Sequence, residues 1–232
     1  KLQGAKIVTN KSELYKNASL ITKINVPIKN VKYDEFKFIK SSSSVLSLVY
    51  PQRSKKELSI LKKSKVSVFA LELMPRISRA QSMDVLSSQS NLSGYKAVVD
   101  AASLYNKAFP LMMTSAGTVP PAKILIVGAG VAGLQAIATA KRLGAVVFVF
   151  DVRSATKEQV ESLGGNFITV ENSDSGETAD GYAKEMTKAY KNKQAKLLEE
   201  NIKKMDIVIT TALIPGRDAP KIITKRMVDS MK

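Results

Sequence analysis

The distribution of apolar positions along the first 70 residues predicts strands that alternate with helices. Short apolar or β-branched runs, typical of strands, occur at 6–9, 20–24, 45–49 and 66–71. Between the last two lies a lysine-rich segment, 52–63, in which Leu58, Ile60 and Leu61 suit one face of a helix. Strands that alternate with helices predict a mostly parallel sheet covered by helices.

A similar alternation returns further along the chain, after a long amphipathic helix. Apolar side chains recur at spacings of three and four from Leu92 to Tyr105, which predicts a helix of about five turns that ends before Pro110. Residues 114–123 are typical of a turn-rich connector. Further strands are predicted near 123–127, 146–150, 167–170 and 207–211. We therefore expect an α/β fold with two domains, residues 1–88 and 89–232.

Composition narrows the class of protein and excludes several kinds of site. The chain has 232 residues, 44% of them apolar, and no apolar run approaches the ~18 residues of a membrane span, so we expect a soluble segment. It contains no cysteine and no histidine, which excludes disulfides, thiolate nucleophiles, Cys/His zinc sites and imidazole bases within it. No metal site is predicted. The chain begins without methionine or a signal peptide, so we expect a segment of a longer protein.

The net charge of +16 raises the question of nucleic-acid binding. Most of this charge lies in residues 1–65, which hold 15 Lys and Arg against 4 Asp and Glu. The lysines are spread singly, without the interleaved aromatic residues of a single-strand binding surface. We therefore expect a solvated basic surface and no nucleic-acid partner.

A glycine-rich turn carries the clearest chemical signal in the sequence. A buried strand runs directly into Gly128, Gly130 and Gly133 in the spacing G-x-G-x-x-G, an alanine-rich helix follows, and the next strand ends at Asp151. The first glycine permits the tight turn, the second lets backbone approach a pyrophosphate, and the third allows close packing of helix on strand. This order predicts a dinucleotide site, whereas the alternative is a glycine-rich turn in an ordinary α/β fold.

The acid at the end of the second strand predicts which dinucleotide binds. Asp151 would accept hydrogen bonds from a ribose 2′-hydroxyl and would repel a 2′-phosphate, which favours NAD over NADP. Arg153, two residues later, could instead bind a 2′-phosphate, although stacking on adenine or simple solvation fits its position better.

One stretch, PRISRAQSMDVLSSQSN at 75–91, is too polar for a core and too compact for a flexible linker. It presents two arginines, two glutamines, an aspartate and five serines. Taken by itself, it is equally well interpreted as a surface loop that caps the following helix.

With its neighbours, however, this stretch resembles a known family. PRISRAQSMDVLSSQSNLSGYKAV, VPPAKILIVGAGVAGLQAIATAKRLGA, DVRSATKEQVESLGG, GYAKEM and ITTALIPG, in this order, resemble the NAD(H)-binding domain of proton-translocating NAD(P) transhydrogenases of the alpha-subunit type, which is related to alanine dehydrogenase. The resemblance is continuous over about 66–232 and fainter over 1–65. It implies two Rossmann-like lobes with parallel sheets and NAD in the cleft between them, with this chain a fragment of both.

The resemblance also implies the residues that contact the cofactor. The 75–91 stretch is expected to be a loop in which Gln81 and Asp84 orient the nicotinamide, and residues 171–186 a mobile flap; no side chain is expected to act as a chemical catalyst. The full set of expected NAD contacts is Arg76, Ile77, Ser78, Gln81, Asp84, Ser87, Gly128, Ala129, Gly130, Val131, Gly133, Asp151, Val152, Arg153, Gly181, Tyr182 and Leu213.

The implied function is Re/Si-specific transhydrogenation, in which a hydride passes between NADH and NADP⁺ bound on a separate domain while protons cross a membrane. The implied partners are that NADP-binding domain, a membrane proton-channel domain and a second copy in a homodimer, and the fragment is not expected to be active alone. The implied location is a soluble domain on a bacterial inner membrane or an organellar membrane, on its cytosol or matrix side. Two alternatives stay open: an alanine dehydrogenase, disfavoured because that family uses a lysine and a histidine around the keto acid, and a non-catalytic NAD-binding module.

Overall fold

The first unit of the fold, Lys1–Leu86, is built on a three-stranded sheet. The structure is a computed structural model that describes residues 3–75, 77–170, 187–214 and 218–231. The elements of this unit are α1 (Lys11–Lys16), β1 (Leu20–Asn25), β2 (Ser44–Leu48), α2 (Lys55–Lys63) and β3 (Ser67–Ala70). The strands are parallel in the order β1-β2-β3, as the alternation of strands and helices predicts. Buried Ile21, Val45 and Leu61 belong to the apolar core of this unit.

Three of the four strands predicted in this part of the chain are confirmed, and one is wrong. Residues 6–9 form no strand, and Ile7 is 70% exposed. The apolar pattern of this run resembles that of a strand, but a strand also requires a hydrogen-bonded neighbour, and the described sheet begins at β1. The predicted helix is confirmed as α2, whose buried Leu61 lies on its inner face.

A buried carboxylate ties several segments of the first unit together. Glu35 accepts hydrogen bonds from the Tyr15 hydroxyl at 3.0 Å and the Ile28 amide at 2.8 Å, and it pairs with the Lys23 ammonium. Burial alone would raise the pKa of Glu35, but the hydrogen bonds from Lys23 and the Ile28 amide outweigh it and lower the pKa below its ordinary value. Burial and the bond to Glu35 raise the pKa of Tyr15.

The second unit, Ser87–Lys232, contains most of the long helix α3 (Val85–Leu104) and a hairpin. The hairpin consists of β4 (Met112–Thr114) and β5 (Gly117–Val119), which pair antiparallel. Residues 114–123 are therefore not only a connector, and the predicted helix begins seven residues before Leu92. Among the described residues, no helix is both long enough and apolar enough to cross a membrane.

The main sheet of the second unit has four parallel strands. In chain order its elements are β6 (Lys123–Val127), α4 (Val131–Arg142), β7 (Val146–Phe150), α5 (Lys157–Ser162), β8 (Asn166–Ile168), α6 (Lys188–Ile202), β9 (Ile207–Thr210) and α7 (Lys225–Asp229). The strands lie in the order β8-β7-β6-β9, which is the 3-2-1-4 order of a Rossmann half. The four strands predicted for this region are confirmed.

Both faces of this sheet are buried, as parallel sheets require. Ile124 and Ile126 pack into a core that includes residues of α3 and α4, whereas Leu125 and Val127 pack with residues of α6 and α7. Strand β6 therefore lies at the centre of the unit, with its carboxyl end leading into the glycine turn. This is the edge of the sheet where doubly wound folds bind ligands.

Candidate nucleotide-binding site

The glycine turn begins with a residue that only glycine fits. Gly128 follows β6 with a φ of +107°, a region that side chains disfavour. A Cβ there would also lie 2.9 Å from the Ala212 amide nitrogen and 2.9 Å from the Thr211 hydroxyl oxygen. The turn is therefore tight because β9 and its following residues lie directly beside it.

Gly133 has the packing role that the sequence predicts. It lies in the first turn of α4 and is buried. A Cβ at this position would be 1.8 Å from the Gly128 carbonyl oxygen, a distance that real Cβ atoms essentially never show. The absence of a side chain lets α4 approach the end of β6 closely.

Gly130, by contrast, has no neighbour among the described residues that requires glycine. It is the N-cap residue of α4, its φ of −79° suits any residue, and a Cβ there would meet no described heavy atom within 4 Å. The described part of the protein therefore leaves open space beside this backbone. A phosphate group fits such a space, which a side chain would fill.

The start of α4 supplies the electrostatics of an anion site. The first amides of a helix have no partner within the helix, and the aligned peptide dipoles make this end positive. The Leu134 amide bonds to the Gly130 carbonyl at 2.8 Å, so the intrahelical ladder begins only there. The amides before Leu134 in the first turn are therefore suited to bind a pyrophosphate.

Thr211 holds the turn in place, which the sequence analysis did not predict. Its hydroxyl donates a hydrogen bond of 2.7 Å to the Gly128 carbonyl oxygen. Thr211 and Gly128 are 83 residues apart in the chain, and only the parallel pairing of β6 with β9 brings them together. The signal that could have found it is a hydroxyl residue at the carboxyl end of a strand next to β6.

Asp151 follows β7, and its carboxylate makes four hydrogen bonds. The amides of Ala129 and Arg153 donate to it at 2.7 and 2.8 Å, and the Arg153 guanidinium adds Nε to Oδ1 at 3.0 Å and a terminal nitrogen to Oδ2 at 2.9 Å. The residue is 6% exposed. The carboxylate is therefore held directly beside the glycine turn, at the position where a ribose binds in Rossmann sites.

Arg153 forms a contact that the sequence analysis did not predict. Its guanidinium forms a two-pronged ion pair with Asp151, and its side chain is 14% exposed, so it is not simply solvated. The Arg153 carbonyl accepts a bond of 2.8 Å from the Thr156 hydroxyl, which fixes the backbone after β7.

The polar stretch 75–91 is more helical than the predicted loop. A 3₁₀ helix spans Ser78–Met83, and α3 begins at Val85. Ile77, Ser78 and Gln81 are exposed, whereas Asp84 and Ser87 are half-buried. Arg76 lies outside the described residues.

A second carboxylate, Glu72, lies shortly before this stretch and was missed by the sequence analysis. It accepts hydrogen bonds from the Val49 amide at 2.9 Å and the Tyr50 amide at 2.5 Å. It therefore fixes the backbone that follows β2.

The remaining expected contacts divide into described and undescribed residues. The structure places Val131 at the first position of α4, Val152 half-buried after β7, and Leu213 56% exposed after β9. Gly181 and Tyr182 lie outside the described residues, as does the whole expected flap, 171–186. The structure thus brings Gly128–Gly133, Asp151 and Arg153 together at one edge of the second sheet.

Comparison with known proteins connects this site to a family. The family model "Alanine dehydrogenase/PNT, N-terminal domain" matches residues 1–93, and "Alanine dehydrogenase/PNT, C-terminal domain" matches residues 97–232. The chain is 53% identical over 232 residues to the first of the separate chains that form NAD(P) transhydrogenase subunit alpha in Rhodospirillum rubrum, covering 99% of this chain and 60% of that protein. It is 27% identical over 235 residues to an alanine dehydrogenase of Mycolicibacterium smegmatis, covering all of this chain and 56% of that protein.

A solved structure agrees with these sequence matches. The transhydrogenase from Sinorhizobium meliloti superposes with a TM-score of 0.82 at 52% identity, over 95% of this chain and 58% of that one. The α/β fold with parallel sheets and the resemblance to alpha-type transhydrogenases are thereby confirmed. The chain spans about three fifths of the length of these relatives. It belongs to the alanine dehydrogenase/PNT family, and the models of both domains match it.

Proposed function

We propose that this chain is the NAD(H)-binding part of a proton-translocating transhydrogenase, which passes a hydride between NADH and NADP⁺ held on a separate domain. The observation that carries the proposal is the glycine turn beside Asp151, in a chain 53% identical to a transhydrogenase alpha-subunit chain. The open space at Gly130 supports the binding of a dinucleotide in particular, because nothing in the packing of the described residues requires glycine there.

Each part of the site has a proposed role. The turn at Gly128–Gly133 and the first amides of α4 bind the pyrophosphate, and Asp151 binds the adenosine ribose. Gln81 and Asp84 orient the nicotinamide, because an amide and a carboxylate can match the donors and acceptors of its carboxamide. Arg76, Ser87, Gly181, Tyr182 and Leu213 remain proposed contacts on the strength of the resemblance.

The chemistry asks for positioning more than for reactive side chains. Bound NAD(H) supplies the hydride itself. The protein's task is to hold the reacting carbons of the two nicotinamides about 3–3.5 Å apart in a site without water, which can supply much of the rate enhancement. The chain contains neither histidine nor cysteine, and this task needs neither.

The proposed complex extends beyond this chain. Its other components are an NADP-binding domain and a membrane domain that conducts protons, and the chain is proposed to act as a homodimer. The proposed location is the surface of a bacterial inner membrane or an organellar membrane. The support is the name of the Rhodospirillum rubrum relative, which is only a portion of one subunit of an NAD(P) transhydrogenase.

Alanine dehydrogenase is the alternative enzyme, because its relatives share the family. Identity to these enzymes is 26–27%, about half of the identity to the first transhydrogenase relative. This difference favours transhydrogenation.

The test uses the complete protein with its partner domains. One assay follows reduction of an NADP⁺ analogue by NADH from the absorbance of the reduced analogue, and the other follows reduction of NAD⁺ by L-alanine. Reduction of the analogue supports the proposal, and oxidation of alanine without transhydrogenation supports the alternative. If NADH binds but neither reaction occurs, the chain is a binding module and the proposal is wrong.

A further inference from the structure

The hydrogen bonds of Asp151 leave no acceptor position for a ribose. A carboxylate has about four lone-pair positions, and each of its oxygens can accept two hydrogen bonds. Oδ1 accepts from the Arg153 amide and Nε, and Oδ2 accepts from the Ala129 amide and a terminal nitrogen of Arg153. A ribose hydroxyl that binds Asp151 must therefore replace one of these donors.

The four donors differ in how easily they can leave. The amides of Ala129 and Arg153 belong to the backbone of the glycine turn and of the segment after β7, and each is fixed by its neighbours in the chain. The guanidinium stands at the end of a flexible side chain and can leave by rotation about single bonds. The two side-chain bonds of Arg153 are thus the pair that a ligand can replace.

Burial makes this exchange necessary. Asp151 is 6% exposed and the Arg153 side chain 14% exposed, so the carboxylate is almost inaccessible while the ion pair is intact. The ion pair also neutralises the charge that would otherwise attract hydroxyl donors. Both effects reduce what a ribose hydroxyl gains from Asp151.

We propose that Arg153 is a specificity-determining residue that competes with the adenosine ribose of NAD(H) for Asp151. This inference rests on the proposed function, because it assumes that Asp151 binds the ribose. Binding of the nucleotide breaks the Arg153 fork, and that cost lowers the contribution of the 2′-hydroxyl to affinity. A residue that only positions Asp151 would have the opposite effect, since its removal would leave the carboxylate misplaced.

The experiment measures how much the 2′-hydroxyl contributes, with and without the fork. NADH is bound to the complete protein and displaced by ADP-ribose or by its analogue without the adenosine 2′-hydroxyl, with NADH fluorescence as the readout. The ratio of the two displacement constants reports the hydroxyl. Arg153→Met keeps most of the side-chain length and removes all donors, so we expect this ratio to rise about tenfold, the size of one hydrogen bond to a charged group.

Two further variants complete the test. Lys157→Met removes a cation close in sequence that is 58% exposed and pairs with Glu161 at 3.9 Å, and it should leave the ratio at the parental value. Arg153→Lys replaces the fork by a single cationic group and should give an intermediate ratio, which keeps the test valid if the Met variant fails to fold. A ratio in the Arg153 variants that equals or falls below the parental one overturns the competition. If the parental protein binds no NADH, the proposed function itself is wrong.

Discussion

The glycines at 130 and 133 should fail in opposite ways when each is replaced by alanine. At Gly133 a Cβ would lie 1.8 Å from the Gly128 carbonyl oxygen, so α4 must move away from β6. At Gly130 a Cβ meets no described atom within 4 Å and the φ of −79° suits alanine. The first substitution therefore acts on the fold, and the second acts on the space proposed for the pyrophosphate.

The magnitudes follow from these contacts. Overpacking in a tight site costs about 1–3 kcal/mol, and the contact at Gly133 is with backbone, which cannot rotate away, so we expect the upper part of this range or more. For Gly130→Ala, loss of a glycine N-cap costs about 0.5–1 kcal/mol. The lower entropy of the unfolded alanine chain returns about 0.4–1 kcal/mol. The net change in the free energy of unfolding should therefore be within about 0.5 kcal/mol of zero.

Two measurements on each variant separate the effects. Chemical denaturation gives the free energy of unfolding, and NADH fluorescence titration gives the dissociation constant. Gly133→Ala should be clearly destabilised, whereas Gly130→Ala should be as stable as the parent and bind NADH at least about tenfold more weakly, because its methyl group displaces the phosphate from the amides. A Gly130→Ala variant that binds NADH like the parent would refute the pyrophosphate role of this turn.

Three further predictions concern other contacts. Gly94→Ala should destabilise the protein by at least about 1–3 kcal/mol in chemical denaturation, because a Cβ there would be 2.0 Å from the Ala132 carbonyl oxygen. The native pKa of Glu35 lies below its ordinary value, so its ionised form stabilises the protein above the ordinary carboxyl pKa of about 4.3, and this stability is lost as the pH falls through the native pKa. Glu35→Gln should therefore make the unfolding free energy less dependent on pH below about pH 4; an unchanged slope would contradict this. Thr211→Val should lower stability by about 1 kcal/mol in thermal unfolding, whereas Thr211→Ser, which keeps the hydroxyl bonded to Gly128, should lower it less.

The turn from β6 into α4 was predictable because its signals are local. The apolar strand, the glycine spacing and the alanine-rich helix lie within 20 residues of sequence, and each reports on its own conformation. Residues 6–9 show the opposite case, because a strand exists only where a neighbour supplies hydrogen bonds. The sequence pattern contains the apolar alternation but not the neighbour.

The helix α3 shows how packing can select a different face from the one that periodicity suggests. Leu92 and Tyr95 belong to the predicted apolar stripe but are 59% and 50% exposed, whereas Gly94 and Val98 are buried. The helix packs through Gly94 because the missing side chain lets it approach Ala132. A glycine inside a helix gives no signal in the apolar pattern, so this face was not predictable from periodicity.

The candidate site was predictable in its residues but not in their mutual contacts. The positions of Asp151 and Arg153 follow from the sequence, but nothing in the sequence indicates that the guanidinium occupies both carboxylate oxygens. The bond from Thr211 to the turn joins residues that only the strand order brings together. Contacts of this kind depend on side-chain direction in the folded sheet.

The most direct test of the proposed site asks whether Asp151 selects a nucleotide without a 2′-phosphate. NADH bound to the complete protein is displaced by ADP-ribose or by 2′-phospho-ADP-ribose, and only displacement of NADH is scored, so that binding at another site does not count. We expect the phosphorylated competitor to be at least about tenfold weaker, and Asp151→Asn to remove most of this difference, since the carboxylate provides both the hydrogen bond and the repulsion. Equal displacement by the two competitors in the parental protein would contradict the role of Asp151.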